Sequence, residues 1–143
     1  MKEIRRSAIV EHSAGEMYAL VDDIDSYPQF MPWCQSADVQ TFGGMKRASL
    51  TVGLSGIRQS FTTLNENHPT SSIQMRLVEG PFKQFSADWR FTALKPDACE
   101  ITFSLRYQFS SHAMGKLLEP LFDEIADTMV DAFTKRADEL YPR

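Results

Sequence analysis

Several features that would narrow a function quickly are scarce in this chain. Cysteine is limited to Cys34 and Cys99. They lie far apart with no second thiol nearby, which argues against a disulfide framework or a zinc site and reads as reduced residues in or near the core. No window approaches the roughly 18–20 apolar residues of a membrane-spanning helix. The start, Met1-Lys2-Glu3-Ile4-Arg5-Arg6, has charge but no apolar stretch or small-residue cleavage site, so it does not read as a signal peptide. The expectation is a cytoplasmic protein, at most peripheral at the inner membrane. Positive charge is not in excess either. Fifteen Lys and Arg against nineteen Asp and Glu leave a net charge of −4, the wrong balance for a domain that coats nucleic acid, and DNA is not an expected partner. There is no repeat, low-complexity run or Gly/Ser linker, so residues 1–143 read as one domain, long enough to fold without a metal or disulfide.

Catalytic signatures are missing too. His12, His68 and His112 show no metal-ligand spacing and each falls near a turn or element end, so they read as surface histidines. There is no Gly-x-Ser-x-Gly elbow and no phosphate-cradling glycine loop. No metal, no required cofactor and no catalytic residue is expected.

What is present is a change of period along the chain. Residues 3–10 suit a first strand. Ser13-Ala14-Gly15-Glu16 forms a capping box, and Met17, Leu20, Val21 and Ile24 follow on one helical face. Pro28 fits the first turn of a second short helix, which Pro32 ends. From Trp33 to Phe109 the period is two: Ala48, Leu50, Val52, Leu54; then Ile73, Met75, Leu77; then Phe85, Ala87, Trp89, Phe91; then Cys99 through Phe109. Turn residues separate the runs at Gly43-Gly44, Ser55-Gly56, Asn65 to Ser72, Gly80-Pro81 and Pro96-Asp97. Strands with one apolar face, joined by short turns, predict an antiparallel sheet. The last thirty or so residues return to helical spacing behind the Ser110-Ser111 N-cap pair. Leu118, Leu121, Phe122, Ile125, Met129, Phe133 and Leu140 share one stripe, and Gly115 and Pro120 are expected to kink or split the helix near its start. The predicted class is α+β: a curved antiparallel sheet around a long C-terminal helix, with two short helices after the first strand.

That order of elements resembles the helix-grip fold of the START-like, polyketide-cyclase superfamily. Tyr27-Pro28-Gln29-Phe30-Met31-Pro32-Trp33-Cys34 is similar to the Tyr-Pro-x-Phe-hydrophobic-Pro-x-Cys segment of its coenzyme Q-binding branch. Val78-Glu79-Gly80-Pro81-Phe82-Lys83, followed by Trp89-Arg90-Phe91, is similar to that branch's Gly-Pro-Phe and Trp-x-Phe pattern. Met129-Val130, Ala132-Phe133 and Arg136-Ala137 resemble its closing helix. The resemblance implies one of two roles. The first is non-enzymatic binding of a hydrophobic ligand, ubiquinone or a similar isoprenoid lipid, as a carrier in respiration. The alternative, from the branch's bacterial ribosome-association toxins, is binding to the large ribosomal subunit, blocking subunit joining and so translation initiation. An aromatic cyclase is a third reading on fold alone.

Three groups of residues are candidates for those roles. Met75, Leu77, Trp89, Phe91, Phe103, Leu105, Tyr107, Phe122, Ile125 and Met129 have inward parity and suit either ordinary core or a ligand cavity, with Tyr107, Trp89 and Gln59 as hydrogen-bond donors. Tyr27, Phe30, Met31, Trp33 and Phe82 suit either core filling or a cavity mouth that touches a membrane surface. Arg47, Arg58, Arg76, Arg90 and Arg106 have outward parity. Residues 40–112 carry eight basic and five acidic groups, so this face is either a solvated one balanced by Asp88 and Glu100 or a contact for RNA phosphates.

Overall fold

A computed structural model describes residues 1–142. The chain runs through β1 (Lys2–Val10), α1 (Ala14–Asp22), a 3-10 turn (Ile24–Ser26) and α2 (Tyr27–Phe30). It continues through β2 (Cys34–Phe42), β3 (Met45–Leu54), β4 (Ile57–His68), β5 (Ser72–Glu79), β6 (Phe82–Lys95) and β7 (Ala98–Phe109), and ends in α3 (His112–Leu140). The seven strands form one antiparallel sheet in the order β1-β7-β6-β5-β4-β3-β2. The meander β2 to β7 is built from tight turns, and β1 joins its far edge beside β7. At the β3–β4 turn both Ser55 (φ 53°) and Gly56 (φ 81°) are left-handed, the conformation that matches hairpin twist. Register shifts at Cys34/Ser36, Thr62/Thr63, Phe82/Gln84 and Ala93/Lys95 bend the sheet around α3.

The capping box forms as expected, with the Glu16 N–H donating to Ser13 Oγ and the Ser13 N–H donating to a Glu16 carboxylate oxygen, both at 3.0 Å. α3 departs from expectation: it is one unbroken helix of 29 residues that carries Pro120 inside it. Pro120 and Lys116, whose carbonyl loses its helical donor, are both on the exposed side, where that oxygen is open to solvent. β4 also extends further than expected, through Asn65 to His68. The turn that follows is confined to the segment between His68 and Ser72.

The core lies between the inner sheet face and α3. Cys99, Ile101, Phe103, Leu105 and Tyr107 of β7 are buried against Leu121, Phe122, Ile125 and Phe133 of α3. Phe133 is fully buried, with the rings of Tyr27, Phe30 and Trp89 between 5.2 and 5.7 Å away. The edge strand β1 is tied to the polar side of α3 by ion pairs. Lys2 reaches Glu119 and Asp123, and Arg6 reaches Asp127 at 2.7 Å. These pairs are partly exposed, so each contributes little by itself. His12 corrects the sequence reading. It is only 2% exposed, with Nε2 2.7 Å from Asp138 Oδ1, because the chain after β1 tucks beneath the end of α3. His68 and His112 are exposed as expected.

Cys34 and Cys99 are free and buried. Burial pushes both thiols from 9.0 to about 11, and pushes the Tyr107 phenol from 10.0 to about 12. Folding therefore favours the neutral forms, and the unfolded chain releases these protons first. Their stabilising effect is complete below about pH 9 and is lost as pH rises to 11 for the thiols and to 12 for the tyrosine. Urea unfolding should show stability falling from about pH 9 upward, through the thiol range to about pH 11. Replacing both cysteines by alanine should move that fall upward, toward the tyrosine range. Phe133→Ala should cost about 3–5 kcal/mol at neutral pH. A loss under about 1 kcal/mol would mean that α3 is not held through this ring.

Candidate functional site

The inner sheet face and α3 do not close completely. Between them lies a cavity of about 60 Å³. Seven of the ten expected cavity residues line it: Met75, Trp89, Phe103, Leu105, Phe122, Ile125 and Met129. Leu77, Phe91 and Tyr107 do not. Leu77 is half-buried near Gly80, beyond the register shift in β4. Phe91 stacks on Trp89 and meets Tyr18 of α1 edge-on. Tyr107 is packed among Phe82, Phe109 and Phe122, and its buried hydroxyl has no partner among the described residues. Gln59 turns away, donating to the Ser60 carbonyl at 2.9 Å.

Other residues complete the wall. Ile24 and Tyr27 close one side, Ala48 and Leu50 come from β3, Phe61, Thr63 and Asn65 from β4, and Phe85 and Ala87 from β6. The alternating set already contained Ala48, Leu50, Phe85 and Ala87. Phe61, Thr63 and Asn65 follow the same parity, but two polar residues in the row disguise it. Tyr27 is the one ionisable residue in the wall; its hydroxyl donates to the Val21 carbonyl and burial pushes its pKa well up. Among the described residues no cluster of three potential metal ligands occurs, and no helix is long and apolar enough to cross a membrane.

The expected mouth is a packed wedge. Trp33 is 1% exposed and its Nε1–H donates to Thr128 Oγ1 at 3.1 Å. Met31 is 2% exposed, and Tyr27 and Phe82 are also buried. Phe30 is half-buried beneath the Arg136 guanidinium, 5.2 Å from its ring centroid. Tyr27 and Phe30 pack on Phe133 and Trp33 bonds Thr128, which holds the segment against α3, so Met31 and Trp33 are not presented to a membrane. Phe82 is not a projecting tip because Phe109 and Phe122 enclose it, each at 5.2 Å.

All five arginines are exposed on the outer face. Register places Arg106 opposite Ser86, Ser86 opposite Arg76, Arg76 opposite Leu64, and Leu64 opposite Arg47. Arg106, Arg76 and Arg47 thus share one row across the sheet at intervals of about 10 Å, two strand spacings each. Arg90 pairs with Asp88 within its own strand and Arg106 pairs with Glu3 of β1, both at 2.8 Å. Glu100, expected to balance this face, lies opposite Ile9 and Thr92 instead. Arg47, Arg58 and Arg76 form no ion pair among the described residues.

Comparison with known proteins places this architecture. Residues 10–134 match the family described as polyketide cyclase/dehydrase and lipid transport. The ribosome association toxin RatA of Escherichia coli K12 is 42% identical over 142 residues, covering 99% of this chain and 90% of that one. The mitochondrial coenzyme Q-binding protein COQ10 homolog B of Xenopus laevis is 30% identical over 146 residues, covering 99% of this chain and 60% of that one. The Zhui aromatase/cyclase from Streptomyces sp. R1128 superposes with a TM-score of 0.84 at 16% identity, over 96% of this chain and 93% of that one, a likeness of fold alone. With the helix gripped by the sheet and most of the chain matched, the protein belongs to the polyketide cyclase/dehydrase and lipid transport family.

Proposed function

We propose that this protein associates with the ribosome, engaging the large subunit and blocking subunit association, and so restrains translation initiation. The observation that carries this reading is the end-to-end 42% identity to a ribosome association toxin. The arginine face supports it, because rRNA presents phosphates to exposed guanidinium groups and three of the five arginines form no ion pair among the described residues. The two readings drawn from the sequence thereby change order. The quinone carrier becomes second, since a cavity of about 60 Å³ falls well below the roughly 300–1,000 Å³ of a drug-sized ligand site. A long isoprenoid tail would need α3 to lift away from the sheet. That second reading, an apolar ligand in the cavity, keeps support from the hydrocarbon lining and from the 30% identity to a coenzyme Q-binding protein. Either role is non-enzymatic and cytoplasmic and needs no resident cofactor.

Sedimentation with purified large subunits tests the first reading. Replacing Arg47, Arg58 and Arg76 by serine should weaken binding at least about tenfold and flatten its salt dependence by about one unit of log–log slope for each phosphate no longer neutralised. An unchanged affinity and slope would remove the arginine face from the proposal, and absence of binding by the intact protein would remove the ribosome. For the second reading, mass spectrometry of gently purified protein should find a bound apolar molecule that Met75→Trp excludes by filling the cavity. Protein that carries no such molecule would end that reading.

A further inference from the structure

One polar pair interrupts the hydrocarbon wall of the cavity. Thr63 and Asn65 occupy successive inward positions of β4, where the strand's alternation calls for apolar side chains. Asn65 is 1% exposed, and the Thr63 hydroxyl donates to its Oδ1 at 2.7 Å. That bond turns the oxygen of the carboxamide toward Thr63 and leaves the Nδ2 hydrogens without a hydrogen-bond acceptor among the described residues. An amide donor that borders a hydrocarbon-lined cavity is costly unless an occupant accepts from it, and a Val and Leu pair of similar size would avoid that cost. The lining also includes Leu105, Phe122 and Ile125, whose side chains cannot accept a hydrogen bond.

We propose that Asn65 is a specificity-determining anchor, its Nδ2 donating to the carbonyl oxygen of an uncharged ligand seated in the cavity and Thr63 holding the carboxamide in that orientation. This inference rests on the second reading, that the cavity takes an apolar ligand. The wall bears no side chain that is charged at neutral pH, so a charged ligand would be buried without a partner. A volume of about 60 Å³ leaves room for a few waters, and a small ring enters when Met75 and Met129 yield, since a cavity that holds benzene measures about 150 Å³. The chemistry recognised is therefore a small ring, or the end of a longer apolar molecule, that carries a carbonyl.

Cyclohexanone and methylenecyclohexane test this, since they match in shape and differ in one oxygen. Their binding to ¹⁵N-labelled protein can be followed by chemical-shift titration, in which the Asn65 side-chain amide gives its own signals. The ketone should bind about tenfold tighter and move the Asn65 Nδ2 signals, whereas the hydrocarbon should move only its apolar neighbours. Asn65→Leu should bring the two affinities together by weakening the ketone. Because that substitution also removes the acceptor of Thr63, the comparison of the two ligands in the unaltered protein stands as the independent measurement. Equal affinity there overturns the anchor while leaving the cavity as an apolar site. If neither compound moves signals from cavity residues, the apolar-ligand reading falls together with the anchor.

Discussion

The contact between α3 and the inner face of the sheet is the interaction on which the rest of this structure depends. The sheet is a meander with one added edge strand, and neither its inner face nor the helix stripe can be left in water. Burial of Phe122, Ile125 and Phe133 against Trp89, Phe103 and Leu105 satisfies both at once. Each such side chain contributes on the order of 1.5–3 kcal/mol when removed from water, which dwarfs the half-exposed ion pairs between β1 and α3. Those pairs set where the edge strand lies against the helix, and the rings hold the two layers together.

The same contact explains why a cavity exists and why it is small. A bent sheet and one long helix separate where their curvatures diverge. Large rings fill most of that gap from the α2 end, through Tyr27, Phe30 and Phe133, and from the other end, through Phe82, Phe109 and Phe122. The remaining space lies between the two aromatic clusters. Its walls include Met75 and Met129, unbranched side chains that adjust to an occupant more easily than the rings can. Volume in this fold is thus set by how far a few side chains yield, and the backbone of the sheet need not move for a small ligand.

Most of the architecture was legible because it follows from period. The alternation of Cys99 through Phe109, the Ser13/Glu16 box and the stripe from Leu118 to Phe133 each specify local structure, and packing agrees with all three. What was not legible depends on residues distant in sequence. Whether Trp33 is exposed is decided by Thr128, 95 residues away, and whether His12 is buried is decided by Asp138. β4 was obscured for a different reason. Its inward positions include Thr63 and Asn65, so the hydrophobic pattern fades in the strand that bears the cavity's polar pair. Local inconsistency of that kind tends to mark positions used for something other than folding.

Period two also separates the two surfaces of the molecule. Met75 and Leu77 point inward on either side of Arg76, which points out, and Trp89 and Phe91 flank Arg90 in the same way. A substitution on one face leaves the side-chain chemistry of the other unaltered, because successive Cβ atoms lie on opposite sides of the sheet. The outer row of arginines can therefore be tuned toward phosphate without changing what the cavity accepts, and the cavity can be reshaped without changing that row. A fold with this property can serve proteins whose names differ as widely as a toxin, a coenzyme Q-binding protein and a cyclase. For this chain the consequence is that the proposed ribosome association and the proposed ligand binding need not compete for the same residues. An occupant anchored at Asn65 lies on the opposite side of the sheet from Arg47 and Arg76. It can influence that surface only by displacing the strands that carry both.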